Sequence, residues 1–244
     1  MADFDYSLHY RRFHDNSEKH AEETAAWQQL MLAPHAPADR EAPILDIGCG
    51  FGFALRALRN LGFKKLTGLE MSPQQAGYCR EAGFNVEVTG NTAAWLRSHP
   101  GQFAFVVLLD VLEHVPVEEQ IDFTRAIHEA LQPGGKVFMT VPNASAIIAS
   151  RWRHLDHTHH TCFTEHSLHF VFLNAGFKSL DVEAEKGIGR FPRSVWKRTE
   201  WPAIRKWIIR WCWLQVHESE LFFDPKGIKQ ISFELNLRAV ATKA

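Results

Sequence analysis

The chain has 244 residues, 45% of them hydrophobic and 23% charged, with 27 Lys and Arg against 28 Asp and Glu. That length fits one domain of roughly 200 residues with an appendage, and the balance excludes wholesale disorder, collagen and coiled coil. A formal net charge of −1 gives no global electrostatic case for a nucleic-acid partner. The cysteines, Cys49, Cys79, Cys162 and Cys212, form no CxxC pair. Neither a zinc ribbon nor a disulfide scaffold is signalled, and reduced thiols in a cytoplasmic protein are expected. Met1 to His14 lacks an apolar stretch of signal-peptide length, and no run of about 18 apolar residues predicts a membrane span.

In chain order, Ser17 can cap a helix over 17–32, and Pro34 and Pro37 mark a linker. Strands and helices then alternate. A strand from Pro43 to Ile47 precedes a helix over 52–61. A strand from Lys65 to Glu70 precedes a helix over 73–82, opened by Ser72 and Pro73. A strand from Phe84 to Val88 leads to a short helix over 91–98. The fully apolar strand Phe103 to Leu109 leads to a helix over 118–131 and a strand from Lys136 to Val141. Residues 143–163 read as a polar, His-rich loop, and 165–175 as a helix ended by Gly176. Strands near 177–184 and 229–241 flank a Trp-rich insertion. The alternation predicts an α/β fold: a doubly wound, seven-stranded, mostly parallel sheet with helices on both faces.

The sharpest motif is Ile44-Leu-Asp-Ile-Gly-Cys-Gly-Phe-Gly52. A buried strand runs into three glycines and a helix follows, so the backbone turns tightly beside a helix N-terminus that offers free N–H groups. Glu70, near the end of the next strand, suits hydrogen bonding to ribose hydroxyls. The glycine spacing is not that of the dinucleotide fingerprint. The alternative is a nucleotide-free flavodoxin-like sheet.

With Leu45-Asp-Ile-Gly-Cys-Gly50, Gly68-Leu-Glu-Met-Ser72, Leu109-Asp-Val-Leu-Glu-His-Val115 and Leu131-Gln-Pro-Gly-Gly-Lys136 in order, the sequence resembles the class I S-adenosylmethionine (SAM)-dependent methyltransferases from about Ala42 to Gly176. The resemblance implies a Rossmann-like fold and SAM as methyl donor. It implies that Asp46, Gly48 and Gly50 surround the amino-acid end of SAM, with Cys49 and Gly52 in the same donor turn. Glu70 would hold the ribose, with Met71 beside the adenine. Asn91 and Thr92 stand where the family often contacts adenine, although the acid frequent there is missing. The implied division is a helical lid and linker over 1–41, a SAM-binding core over 42–185, and a basic helical insertion with the final strand over 186–244. Tyr6 to Phe13 is the candidate lid over the cleft, with a flexible tail as the alternative.

Asp110 ends the apolar strand at the carboxyl edge, where ligands of open α/β sheets bind, and is expected beside both donor and acceptor. Glu113 and His114 follow within a turn. Their bland reading is that they shape the cleft without chemistry. His154, Asp156, His157, His159 and His160 crowd the later loop. Methylating a hydroxyl requires removing its proton, for which histidine is suited. A divalent metal such as Mg or Mn, on Asp110, Glu113, His114 and His159, would instead lower the hydroxyl pKa. That ligand set resembles the metal-binding arrangement of small-RNA 2′-O-methyltransferases. A Glu-His pair and a Thr-His before a Phe are similar to the ubiquinone-biosynthesis O-methyltransferases. Asp156-x-Thr-His159 with Phe163-Thr164 and Asn174-Ala-Gly-Phe177 resembles methyltransferases of bacterial surface-glycan pathways, which implies an orienting acid–base pair, Asp156 and His159, over a sugar hydroxyl. The other loop histidines read as solvated.

Residues 190–213 carry seven cations (Arg190, Arg193, Lys197, Arg198, Arg205, Lys206, Arg210), one acid (Glu200) and five tryptophans. From Pro202 onward Trp201, Ile204, Ile208 and Trp211 share one helical stripe, with Lys206 and Arg210 on another face. The stripe packs on the sheet or a second subunit, or lies in a membrane interface over 196–214, or touches substrate. The favoured expectation is a SAM-dependent O-methyltransferase acting on a sugar of a surface glycan or its precursor, cytoplasmic or peripheral at the inner face of the membrane. The rivals are a quinone or phenol acceptor, a metal-dependent RNA 2′-O-methyltransferase, and a silent SAM-fold docking module.

Overall fold

A computed structural model describes residues 17–184, 198–221, 227 and 231–244. The expected lid, Tyr6 to Phe13, and Arg190, Arg193, Trp196 and Lys197 of the insertion lie outside the described residues. The elements are α1 (Glu18–Leu32), β1 (Ile44–Ile47), α2 (Phe53–Asn60), β2 (Leu66–Glu70), α3 (Pro73–Glu81), β3 (Asn85–Val88), α4 (Thr92–Arg97), β4 (Phe103–Leu109), α5 (Gln120–Ala130), β5 (Leu131–Pro142), α6 (Ala149–Arg153), α7 (Glu165–Asn174), β6 (Leu180–Val182), α8 (Trp201–Glu220) and β7 (Asn236–Thr242).

The seven strands form one sheet in the order β3-β2-β1-β4-β5-β7-β6. Neighbours from β3 through β5 are parallel, and β7 runs antiparallel to both β5 and β6. Winding proceeds outward from β1 to β3 and then from β4 the other way. The switch point is therefore between β1 and β4, the place where such sheets open a ligand crevice. The apolar β4 serves two cores at once, because alternate side chains point to opposite faces. Val106 and Leu108 pack with Leu96, Phe123, Ile127, Leu168 and Phe172 on one face. Phe105 and Val107 pack with Ala25, Leu32, Ala54, Leu58 and Phe138 on the other.

Helix α1 is anchored on the core, with Ala25 and Leu32 fully buried against α2. Ser17 caps this helix by accepting from the His20 amide at 3.2 Å, and its Glu18 and Glu22 both grip Arg56 of α2. Strand β5 begins at Leu131 rather than Lys136, because Leu131 pairs with Phe103 before the register jumps to Phe105 opposite Lys136. The intervening Pro-Gly-Gly makes a bulge, and a Cβ on Gly135 would stand 2.9 Å from the Gln132 carbonyl. In α8 the stripe does not pack on the sheet. Arg210 is the residue that turns inward, 4% exposed, while Trp201, Ile208 and Trp211 face solvent. The inward turn follows from an ion pair: the Arg210 guanidinium donates to Glu234 Oε1 at 2.6 Å.

Candidate active site at the carboxyl edge of the sheet

The donor half is built by β1, β2 and the glycine turn. Gly48, Gly50 and Gly52 all have positive φ, 68°, 52° and 77°, a region that costs side chains energy and glycine little. Gly48 also lacks room, since a Cβ there would lie 2.6 Å from Val111 Cγ2. Glu70 ties the turn to β2. Its Oε2 accepts from the Gly50 amide at 2.9 Å, and its Oε1 from the amides of Met71 and Ser72 at 2.8 and 2.9 Å. A carboxylate has about four acceptor positions, so one remains for a ribose hydroxyl. Asp46 is 2% exposed and its Oδ2 has no hydrogen-bond partner among the described residues. Burial, then the charge of Glu70, holds its carboxyl well above the usual range. A buried carboxylate oxygen without a donor fits the ammonium of SAM.

The other donor-site candidates lie around this turn. Met71 is 57% exposed, an apolar edge rather than an enclosed wall. The Asn91 side chain accepts from the Ala94 amide at 3.0 Å and caps α4, so its oxygen already has a structural partner; Thr92 opens the same helix. Cys49 is buried, and its thiol is held protonated by a hydrogen bond with Cys79 and then by burial.

The acceptor half is built by the turn after β4 and the His-rich loop. Asp110 adopts φ 53°, the described non-glycine residue with positive φ. Its Oδ1 accepts from the Thr140 hydroxyl at 2.8 Å and the Asn236 amide at 3.2 Å. Desolvation raises its carboxyl pKa, against the lowering effect of the Thr140 hydrogen bond. Next comes a 3-10 turn, Leu112–His114. Glu113 is 0% exposed, and neither carboxylate oxygen has a hydrogen-bond partner among the described residues. Burial first, then Asp110 and Asp156, pushes its carboxyl well above the ordinary range. His159 Nε2 lies 3.9 Å from Glu113 Oε1. The loop is fastened there by the His160 amide, which donates to the Glu113 carbonyl at 2.7 Å.

Glu113, His114 and His159 place one ligand atom each within 4.8 Å of one another. Asp110 stands outside this group, so the structure brings together three of the four expected metal ligands. The Asp156 side chain works through Thr158, which the sequence motif included without a role. Thr158 donates its amide and its hydroxyl to Asp156 Oδ1 at 2.8 and 2.7 Å. A hydroxyl has one hydrogen, so at its 2.8 Å contact with His114 Nδ1 the Thr158 oxygen must accept. His114 therefore carries a proton on Nδ1. This relay from Asp156 reaches His114. His154, His157 and His160 are exposed, as a solvated loop requires. Asn143, passed over by sequence reasoning, is fully buried. Its amide donates to the carbonyls of Ser232 and Glu234 at 2.8 and 2.7 Å.

A switch-point crevice with a glycine turn, an acid at the end of β2 and a polar cluster after β4 defines a class I SAM-dependent methyltransferase. The sequence matches the family model described as methyltransferase domain over residues 17–182, and the chain belongs to that family. It is 36% identical over 105 residues to the ubiquinone biosynthesis O-methyltransferase of Pseudomonas aeruginosa, covering 41% of this chain and 44% of that one. The protein of the same name from Methylococcus capsulatus is 34% identical over 122 residues, 48% of this chain and 49% of that one. The chain thus matches about half the length of these curated relatives. Among solved structures, a SAM-dependent methyltransferase from Archaeoglobus fulgidus superposes with a TM-score of 0.70 at 17% identity, over 98% of this chain and all of that one.

Proposed function

We propose that the chain transfers the methyl group of SAM to a hydroxyl oxygen, and that the acceptor is a small phenolic or quinol-type molecule. The Glu113–His114–His159 cluster at the mouth of the switch-point crevice carries the O-methyltransferase reading. The acceptor oxygen attacks the methyl carbon, the carbon–sulfur bond breaks to give S-adenosylhomocysteine, and the hydroxyl proton leaves to the His159 imidazole. Burial favours the neutral form of Glu113 beside it. Orientation of donor and acceptor supplies most of the rate. The phenolic acceptor rests on the names of the relatives; the sugar acceptor rests on the loop motif alone.

The same three residues fit a divalent cation. Two imidazoles and a carboxylate without hydrogen-bond donors make a mixed nitrogen and oxygen set, and the Thr158 contact orients the His114 ring. A cation bound there would supply Lewis acidity toward the acceptor hydroxyl. Turnover of a catechol and of a hydroxyl-bearing sugar nucleotide with labelled SAM, before and after chelation, tests all three statements. Label on the catechol supports the reading; label on the sugar alone moves the acceptor class. Turnover undiminished by chelation removes the cation. His159→Ala should bind SAM normally and lose about 10²- to 10⁴-fold in turnover; full turnover in that variant would sink the site assignment.

A further inference from the structure

We propose that the outward face of α8 docks this protein onto an anionic lipid bilayer. The inference is independent of the acceptor hydroxyl. Helix α8 is about 30 Å long and wears its faces in reverse. Its charged side points inward: Arg210 pairs with Glu234, Trp213 Nε1 donates to the Ser145 carbonyl at 3.4 Å, and the His217 ring lies 5.3 Å from that of Phe233. Arg210, Trp213 and His217 fall at i, i+3 and i+7, one helical stripe. The opposite stripe carries Trp201, Ile208 and Trp211, 56%, 48% and 45% exposed, with Ile209 and Val216 beside it. Five large apolar side chains held in water on one helix need a partner.

Charge selects the partner. Arg198 and Arg205 are exposed, while Lys206 joins Arg210 on Glu234 at 3.7 Å and keeps 61% of its side chain in water. Between residues 198 and 216 the sequence has one acid, Glu200, and Glu218 and Glu220 follow in the last turn of α8. Tryptophan with Arg and Lys around an aliphatic stripe matches the headgroup level of an anionic membrane. A protein surface complementary to that stripe would need apolar and acidic groups interleaved at the same spacing; a bilayer supplies both everywhere. Among the described residues no helix is long and apolar enough to span, so α8 would lie along the interface.

The placement also gives docking a consequence. Asn143 at the end of β5 donates to the Glu234 carbonyl, and Glu234 holds Arg210. The helix is thereby fixed to the sheet edge that carries Glu113 and His159. A protein resting on α8 would hold that edge near the lipid.

The test is co-sedimentation of the full chain with vesicles of phosphatidylglycerol and phosphatidylcholine in equal parts, and of phosphatidylcholine alone. The protein should pellet with the anionic vesicles and much less with the neutral ones. The double variant Ile208→Asp, Trp211→Asp should lose at least tenfold in partitioning while its Tm and SAM binding stay those of the parent. Should that variant misfold, Arg198→Glu with Arg205→Glu reverses two exposed charges and should lower binding to anionic vesicles alone. Failure of the parent to pellet, or equal pelleting by the folded variants, overturns the proposal. So does sedimentation velocity showing a dimer that Ile208→Asp, Trp211→Asp dissolves, with no vesicle binding, because the face would then belong to a second copy.

Discussion

At the scale of single residues, Glu113 sets the clearest expectations. Its folded pKa exceeds the ordinary value of about 4.3 for glutamate, through burial first and then Asp110 and Asp156. Between those two values the folded protein keeps a proton that the unfolded chain has released. Stability associated with neutral Glu113 is therefore complete below the ordinary carboxylate range and is lost as pH rises toward the folded value. Glu113→Gln cannot ionise. It should match the parent in Tm at about pH 4 and exceed it at about pH 8, by on the order of 1 kcal/mol for each unit of pKa elevation, while turnover falls. A Tm series across pH checks the sign; a variant less stable at about pH 8 than at about pH 4, relative to the parent, would refute the buried-carboxyl account. Thr158 is a positioning residue on the other side of the cluster. Thr158→Val removes the acceptor for His114 Nδ1–H, so kcat should drop about 10- to 100-fold with SAM affinity unchanged. Thr158→Ser keeps the hydroxyl and should restore it, which a purely packing role for the threonine methyl would not allow.

At the scale of elements, Asn91 and Asn143 separate architecture from ligand binding. Asn91→Ala deletes the cap of α4 and should cost about 1 kcal/mol of stability. If the cap is its role, Asn91→Ser recovers most of that loss and SAM binding by calorimetry changes little in either variant. Asn143→Ala leaves two buried carbonyls without donors and should cost about 1–3 kcal/mol by chemical denaturation. The contrast shows what a sequence discloses. Helix caps at Ser17 and Ser72, the glycine turn and the alternation of β1 to β5 are local patterns, so they were legible. Asn143 acts on carbonyls some 90 residues away, and nothing local marks it. The same holds for α8. Its amphipathic stripe was visible, but its orientation depends on Glu234, 24 residues beyond Arg210, so periodicity found the two faces and could not say which one turned inward. The Asp156 pattern was likewise visible, while its link through Thr158 to His114 spans 44 residues and has no local mark.

At the scale of the whole molecule, the donor pocket draws on strands from both halves of the doubly wound sheet. Gly48 belongs to the turn after β1, Glu70 to β2, and Val111, which leaves no room for a Cβ at Gly48, to the segment after β4. A ligand seated there binds the folded state alone and must stabilise it as one unit. S-adenosylhomocysteine at about 100 times its Kd should add about 2.7 kcal/mol, which for a domain of this size is roughly 5–10 °C in Tm at about 2–4 °C per kcal/mol. Gly48→Ala should lose this increment entirely, since its side chain enters both a left-handed backbone region and the space of Val111. If the Asp46 carboxyl faces the ligand's ammonium, Asp46→Asn should lose most of it. Glu113→Gln and Thr158→Val, on the acceptor side of the crevice, should keep it. Differential scanning fluorimetry on these variants therefore divides the crevice into its two halves. Equal loss of the increment in Thr158→Val and Gly48→Ala would mean that donor and acceptor residues form one coupled site, and the assignment of separate roles would fail.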